Sequence, residues 1–132
     1  MAGETDLAVL LQSTQPVLRP STYVFVTVGT RDAVPEGVSP VMSFWEDEGQ
    51  TLIIPQEEAT TAGLVGLFPC RMITLRIHSS LDAVGFLAAV LVPLAAAGIP
   101  VNPVSAFYHD HLFVPAERAE EAFRILEELA RT

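Results

Sequence analysis

The chain has 132 residues, of which half are hydrophobic and only 17 % are charged, a composition typical of a folded globular protein. Its formal net charge is -9, from 16 acidic and 7 basic side chains, and every basic residue is Arg. Such an acidic protein lacks the cationic face that nucleic acids and anionic membranes need in a partner. Without Lys, a Schiff-base lysine, a pyridoxal-phosphate anchor and a phosphate-loop lysine are also excluded.

The cysteine content and the start of the chain indicate the compartment. Cys70 has no second cysteine with which to form an internal disulfide, and no positively charged segment precedes an early apolar run. Both features predict a cytoplasmic protein. Residues 83–99 form an apolar run of about 17 residues, at the lower limit for a membrane span. Because Pro93 interrupts this run and no Arg flanks it, we interpret it as a buried helix rather than a membrane segment.

In the first half of the chain, short apolar runs are separated by prolines and glycines. Only residues 56–66 could hold a helix there. The predicted strands are residues 7–11, 23–28, 41–46 and 51–54. No sequence repeat is evident, and the loop near residues 66–69 is the predicted boundary between the two halves.

In the second half the hydrophobic pattern is more regular. Apolar and polar residues alternate over 73–78, which predicts a strand with one buried face. Ser79 and Asp82 then match the S-x-x-D form of a capping box, and Gly98 is a natural stop. These signals predict a helix over residues 80–97.

The end of the chain predicts a hairpin followed by a helix. Residues 101–108 and 112–114 are the two antiparallel strands, joined by a turn at residues 109–111. Pro115 suits the first turn of the closing helix, whose apolar residues fall on one face. The second half is therefore predicted to have the order βαββα.

These elements predict an α+β fold with two lobes, residues 1–68 and residues 69–132. A βαββα unit needs one more strand to complete a ferredoxin-like sandwich. Because the second lobe does not supply that strand, we expect strand exchange between the lobes, with residues 7–11 as the donated strand.

Three segments together carry a resemblance to a known family. They read HSSLDAVGFLAAV, AAAGIPVNPVSAFYHDHLFVPAERAEEA and WEDEGQTLIIP. They resemble small bacterial proteins built from two ACT-type lobes, and the match extends over nearly the whole chain from about Leu10. The resemblance implies a tandem ACT fold with antiparallel four-stranded sheets, and binding of free amino acids at lobe or subunit interfaces.

The resemblance and the local chemistry indicate the same ligand site. In ACT proteins the turn before the first helix carries an acidic residue and a glycine beside the ligand, which here implies Asp82 and Gly85. Val84 stands where a proline commonly precedes that glycine. A helix N-terminus can also accept a carboxylate while Asp82 holds an ammonium group. The candidate ligand-binding residues are Ser79, Ser80, Leu81, Asp82, Val84, Gly85 and Asn102.

Each candidate has a structural alternative. Ser79 and Asp82 could simply cap the helix, and Gly85 could simply permit close packing. His109 and His111 have a spacing that can chelate a metal ion, but no second pair completes a ligand set. We therefore predict no metal site and no cofactor, and expect Asp110 to accept hydrogen bonds in a turn.

An acidic turn in the first half is a weaker second site. Glu46, Glu48 and Thr51 could face a cationic ligand, but the run lacks the regular spacing of a calcium loop. A solvated hairpin turn is the simpler interpretation.

The sequence thus predicts a regulatory protein that binds an amino acid and is not an enzyme. No G-x-S-x-G, G-x-G-x-x-G or H-E-x-x-H motif occurs in it. We also predict a homodimer, joined through sheet edges or through the helix at residues 80–97, because that helix is apolar on nearly every side. The alternatives are an interaction module whose partner is a separate protein, and a small metal-dependent enzyme using His109 and His111.

Overall fold

The computed structural model describes residues 6–29, 34–77 and 80–131. A 3-10 turn at Ala116–Arg118 leads directly into the last helix. The helices are α1 (Leu7–Ser13), α2 (Gln56–Ala62), α3 (Phe86–Ala96) and α4 (Ala119–Ala130). The strands are β1 (Pro16–Val28), β2 (Met42–Trp45), β3 (Gln50–Pro55), β4 (Leu67–Leu75), β5 (Asn102–Ser105) and β6 (Asp110–Pro115). The resulting α+β fold confirms the predicted class.

The chain divides into two compact units. The smaller unit is Ser21–Cys70, and the larger unit combines Met1–Pro20 with Arg71–Thr132. Strands β1 and β4 each contribute one part to each unit.

In the smaller unit the strand order is β2-β3-β1-β4. Strand β3 pairs antiparallel with β1 on one side and with β2 on the other. The alternation of β1 directs Val24 and Val26 towards Leu52, Ile54 and the buried Ala59 of α2. Helix α2 ends at Gly63, whose positive φ of 70° suits a glycine C-cap.

In the larger unit the strand order is β1-β4-β6-β5, and β5 pairs antiparallel with β6. Helices α1, α3 and α4 pack against one another over this sheet. Their buried residues meet the inward residues of β4 and β6 in one hydrophobic core. Its members with no exposed surface are Leu10, Ile73, Leu75, Val90, Leu94, Leu112, Val114, Ala119 and Ala122.

The prediction of a strand at residues 7–11 is wrong, because this segment is the helix α1. Asp6 caps it, since its Oδ1 accepts a hydrogen bond from the backbone N–H of Val9 at 3.2 Å. The strand that completes the larger unit is instead residues 16–20 of β1, a stretch between two prolines that was not among the predicted strands. The N–H of Arg76 donates to the carbonyl of Gln15 at 2.9 Å, which places the start of β1 beside the end of β4.

The predicted start of the long helix is also wrong. Helix α3 begins at Phe86, and Gly85 before it has a φ of 88°, outside the helical region. The capping-box interpretation fails because residues 80–85 form a separate turn. In that turn Ser80 Oγ accepts from the N–H of Asp82, and the Ser80 carbonyl accepts from the N–H of Ala83. Ser79 lies outside the described residues.

Two further element boundaries differ from those predicted from the sequence. The turn of the second hairpin is at residues 106–109, four positions between Ser105 and Asp110, so His111 lies in strand β6 rather than in the turn. The segment at residues 67–69, which we predicted to be a boundary loop, belongs to β4. Strand β4 tolerates Pro69 there, as strands do at edges and irregular positions. The non-glycine Phe68 marks such an irregularity with a positive φ of 58°.

The two hairpins form a structural repeat that the sequence did not reveal. Gln50 corresponds to Asp110 and Pro55 to Pro115, a constant offset of 60 residues. The pairings Trp45 with Gln50 and Ser105 with Asp110 keep the same offset. Strands β3 and β6 also share one pattern of burial. The sequences of the two hairpins differ so much that only the strand register shows the repeat.

Arg118 forms hydrogen bonds with the backbone just after the C-terminal end of α3. Its guanidinium donates to the carbonyls of Ala97 and Gly98 at 2.9 Å and pairs with Glu121 at 3.0 Å. The pairing with Glu121 raises the pKa of Arg118 further, so the donor is always charged. These carbonyls would otherwise need water as their partner.

We predict that Arg118→Ala lowers the melting temperature measurably, by less than a core truncation does. Arg118→Lys should recover only part of the loss, because Lys lacks the planar fork that reaches both carbonyls. Thermal unfolding of the two variants, beside Arg124→Ala on the exposed face of α4, measures this. Equal melting temperatures for Arg118→Ala and Arg124→Ala would contradict the assignment.

Within residues 6–29, 34–77 and 80–131, no helix combines the length and hydropathy that crossing a bilayer requires. The apolar run at residues 83–99 contains α3, which is 11 residues long.

Candidate functional site

The larger unit contains a cavity of about 180 Å³ beside the start of α3. Three segments form it: the turn before α3, the first turn of α3, and the hairpin between β5 and β6. The residues that line it are Ser80, Leu81, Ala83, Phe86, Leu87, Ser105, Ala106 and Asp110. The side chains of these described residues are apolar apart from two hydroxyls and one carboxylate.

Asp110 gives the cavity its charge. The side chain is 7 % exposed at the first position of β6, directly opposite Ser105 of β5. The hydroxyl of Ser105 donates to Asp110 Oδ1 at 2.6 Å, which fixes the orientation of the carboxylate. Among the described residues that line the cavity there is no Arg, and their one formal charge is negative. A cationic or ammonium group is the complement of such a site.

The structure brings some of the predicted ligand residues to this cavity and not others. Ser80 and Leu81 line it. Asp82 is exposed and Val84 is 86 % exposed, and neither is among the lining residues. Gly85 precedes α3, and Asn102 is exposed at the far end of β5 from Ser105. The cluster predicted from one stretch of sequence is therefore divided between the cavity wall and the surface around it.

Sequence reasoning missed Asp110 as a cavity residue. We expected it to serve a hairpin turn, whereas the strand register places it at the cavity. Only the repeat, which the strand register reveals, sets it apart: at the 60-residue offset the corresponding residue is the neutral Gln50, so the second hairpin has a carboxylate where the first has an amide.

The weak second site proposed in the first hairpin has a local structure of its own. The hydroxyl of Thr51 donates to the carboxylate of Glu46. The backbone N–H of Glu46 donates to the carbonyl of Gly49 at 2.9 Å, which closes the turn. Glu48 is exposed in that turn. These contacts describe a solvated hairpin in which the side chain of Glu46 already has a partner.

His109 and His111 lie close together, with ring centroids 6.4 Å apart. His109 Nδ1 is 3.3 Å from the carbonyl of Ile77, and His111 Nδ1 is 3.0 Å from Thr74 Oγ1. Within the described part of the chain, no group of three or more His, Cys, Asp or Glu side chains is arranged to hold a metal ion. His78, the third histidine, lies outside that part.

Cys70 is not a nucleophile candidate in this environment. It has no exposed surface, and its Sγ lies 3.4 Å from the carbonyl of Tyr23. Burial raises the pKa of the Cys70 thiol to about 12, so the thiol stays protonated at neutral pH. A reactive cysteine needs the opposite shift.

The strand order of each unit is that of a ferredoxin-like sandwich. Comparison with known proteins agrees with this fold. Models of the ACT domain match residues 2–71 and residues 67–128, which together cover nearly the whole chain. The chain belongs to the ACT-domain family. It carries two ACT domains in tandem, as its resemblance to that family implied.

Solved structures of other proteins show the same architecture. A Vibrio cholerae protein of unknown function, described as a possible transport protein, is 41 % identical, with a TM-score of 0.84 over 94 % of this chain and 95 % of that one. An Agrobacterium tumefaciens protein is 19 % identical, with a TM-score of 0.75 over 89 % of each chain.

A third structure is the ligand-free regulatory subunit of aspartate kinase from Thermus thermophilus. It is 13 % identical, with a TM-score of 0.67 over 89 % of this chain and 96 % of that one. At this identity the comparison shows the fold alone. No curated protein matches the sequence. ACT domains are regulatory modules, and this ACT protein is accordingly of the regulatory type.

Proposed function

We propose that this ACT protein is a regulatory protein that binds a free amino acid in the cavity of its larger unit. The observation that carries the proposal is the carboxylate of Asp110, which Ser105 holds at the wall of a cavity whose described lining side chains are mostly apolar. Asp110 accepts the ligand's ammonium group in this proposal. The apolar residues Phe86 and Leu87 contact the side chain of the ligand.

The size and polarity of the cavity support a small zwitterion. At about 180 Å³ it is smaller than the cavities of about 300–1,000 Å³ that hold drug-sized ligands. The hydroxyl of Ser80 offers a donor for the ligand's carboxylate. This assignment keeps Ser80 and Leu81 from the sequence prediction and replaces Asp82 by Asp110 as the ammonium contact.

The test compares the effect of removing the charge of Asp110, which lines the cavity, with that of removing the charge of Asp82, which does not. The common amino acids are first screened by thermal shift, because a ligand that binds only the folded protein raises its melting temperature. The best ligand is then titrated calorimetrically into wild type, Asp110→Asn and Asp82→Asn. The Asp110→Asn variant should bind the ligand about tenfold more weakly or worse, because it loses a charge-assisted hydrogen bond.

Asp82→Asn is the matched control, since it removes the same charge from an exposed position beside the cavity. It should bind like wild type. Weakening by Asp82→Asn with Asp110→Asn unchanged would restore the sequence-based assignment. A screen without any response at millimolar concentration would overturn the sensing function itself.

The exposed face of α3 supports a homodimer. The helix carries no charged residue, and Ala88, Val92, Ala95 and Ala96 are exposed along it, Val92 by 65 %. In a protein of net charge -9, an uncharged apolar face is the surface on which two copies repel least. We propose that this face joins two copies around a twofold axis.

Light scattering at micromolar concentration tests the dimer. Wild type should have the mass of two chains, and Val92→Glu should have the mass of one, because the new carboxylates would meet across the twofold axis. Val65→Glu is the matched control, since Val65 is 84 % exposed in the smaller unit. A monomeric wild type, or a dimer that persists in Val92→Glu, would contradict this interface.

One observation favours a second function, an interaction module for a separate protein. Exposed apolar side chains occur in the turn before α3 and in the β5–β6 turn, both of which contribute to the cavity wall: Leu81, Val84, Phe107 and Tyr108 are each at least 60 % exposed. Such surfaces mark binding sites for other molecules. A cytoplasmic location, predicted from the single cysteine, accompanies either function.

A further inference from the structure

A chain of hydrogen bonds crosses three strands of the larger unit, on the face of the sheet opposite to helices α1, α3 and α4. Ile73, Leu75, Leu112 and Val114 face the helical core, so the alternation of β4 and β6 turns Thr74 and His111 to the opposite face. Thr74 has no exposed surface. Its Oγ1 lies 3.3 Å from Arg19 Nε on β1 and 3.0 Å from His111 Nδ1 on β6.

The direction of these hydrogen bonds follows from the atoms involved. A guanidinium only donates, so Thr74 Oγ1 accepts from Arg19. Within residues 6–29, 34–77 and 80–131 the hydroxyl has His111 Nδ1 as its other partner, so its own hydrogen goes to that nitrogen. His111 Nδ1 is therefore the acceptor, and the neutral ring carries its proton on Nε2.

The environment of His111 supports the neutral ring. Burial lowers its pKa from 6.5, and the nearby His109 and Arg19 lower it further, while Asp110 raises it. These are the charged and titratable groups that act on the ring from β1, β6 and the turn before β6. The sum favours the uncharged imidazole with an Nε2–H donor at neutral pH.

The arrangement leaves a set of hydrogen-bond donors. Arg19 uses Nε for Thr74, and among the described residues the two Nη groups of its guanidinium have no hydrogen-bond partner, while His111 offers Nε2–H. In the described part of the chain no carboxylate pairs with Arg19, although the protein has 16 acidic residues. A second guanidinium is close by, because Arg71 Nε donates to the backbone carbonyl of Arg19 at 3.0 Å.

We propose that Arg19 and His111 bind a small oxyanion, a carboxylate or a phosphate, on this face of the sheet. Such groups accept hydrogen bonds and carry the charge that an unpaired guanidinium attracts. The site is separate from the cavity, because His111 and Asp110 are consecutive in β6 and turn to opposite faces of the sheet. The oxyanion site does not rest on the amino-acid site, and either can fail alone.

The test follows the histidine rings by NMR on ¹⁵N-labelled protein, with phosphate and succinate as probes at constant ionic strength set with sodium chloride. The ligand-free protein should show the Nε2–H tautomer at His111. Saturable binding of a probe should shift the His111 resonances and raise the pKa of the ring. Saturation by phosphate alone assigns a phosphoryl ligand, and saturation by succinate alone assigns a carboxylate.

Arg19→Gln should weaken that binding at least about tenfold, because one charge-assisted contact is lost. Arg124→Gln removes the same charge from the exposed face of α4 and should bind like wild type. Asp110→Asn should also leave the oxyanion titration unchanged, which separates this site from the cavity. If Arg19→Gln does not fold, the tautomer and the wild-type titration still decide the question. An Nδ1–H tautomer at His111, or no shift beyond that caused by chloride, would overturn the proposal.

Discussion

Replacing Leu10 with Ala should lower the free energy of unfolding by about 2–5 kcal/mol. Leu10 has no exposed surface and packs in the core that α3, α4, β4 and β6 form. Truncation removes its transfer free energy and leaves a space that the surrounding side chains fill only in part. Urea unfolding monitored by circular dichroism measures the loss as a lower midpoint with an unchanged slope.

Val9→Ala is the control for this experiment. Val9 is the preceding residue of α1, it is 42 % exposed, and its truncation should cost much less. The pair therefore tests whether Leu10 is packed in the core while its neighbour Val9 faces outward, as the docked helix α1 requires. Equal and small losses for both variants would contradict the docking of α1 on the core.

Gly49→Ala should lower the free energy of unfolding by about 1–3 kcal/mol, as overpacked sites do. A Cβ at this position would lie 2.6 Å from the carbonyl oxygen of Val28 and 2.8 Å from Thr27 Oγ1. Because Val28 O is a backbone atom of β1, the strand itself must shift to relieve the contact. Gly49 is thus required by the close approach of the hairpin turn to β1.

Glu48→Ala, one residue earlier in the same turn, is the matched control because Glu48 is exposed. It should change stability by less than about 0.5 kcal/mol, as surface substitutions usually do. Thermal and urea unfolding of both variants provide the comparison. Wild-type stability for Gly49→Ala would show that the turn can move away from β1 without loss.

The fold class was predictable because several segments have only one reasonable interpretation. Residues 112–114 and the closing helix have patterns of apolar residues that fit one secondary structure, and the structure contains both elements there. Residues 7–11 do not: Leu7, Leu10 and Leu11 fit one face of a helix, while their short apolar run also fits a buried strand. Tertiary packing, which no local pattern states, decides between the two.

The candidate site was only partly predictable for a related reason. Ser80 and Leu81 belong to the segment that the family resemblance indicated, and they line the cavity. Asp110 is about 30 residues further along and reaches the cavity only through the register of β5 with β6. Asp82 drew attention because it matches a capping pattern, yet Gly85 ends the turn and delays the helix to Phe86.

The architecture of the larger unit determines when its sheet can form during synthesis. Its sheet needs residues 16–20 from the beginning of the chain and β6 from near the end, with the smaller unit inserted between them. The smaller unit consists of one continuous stretch and can collapse as soon as that stretch leaves the ribosome. Residues 16–20 must wait until the rest of their sheet has been translated, and closing so long a loop slows folding. Until β4 is complete, residues 16–20 have no neighbouring strand to pair with, so their backbone groups stay exposed for longer than those of the smaller unit.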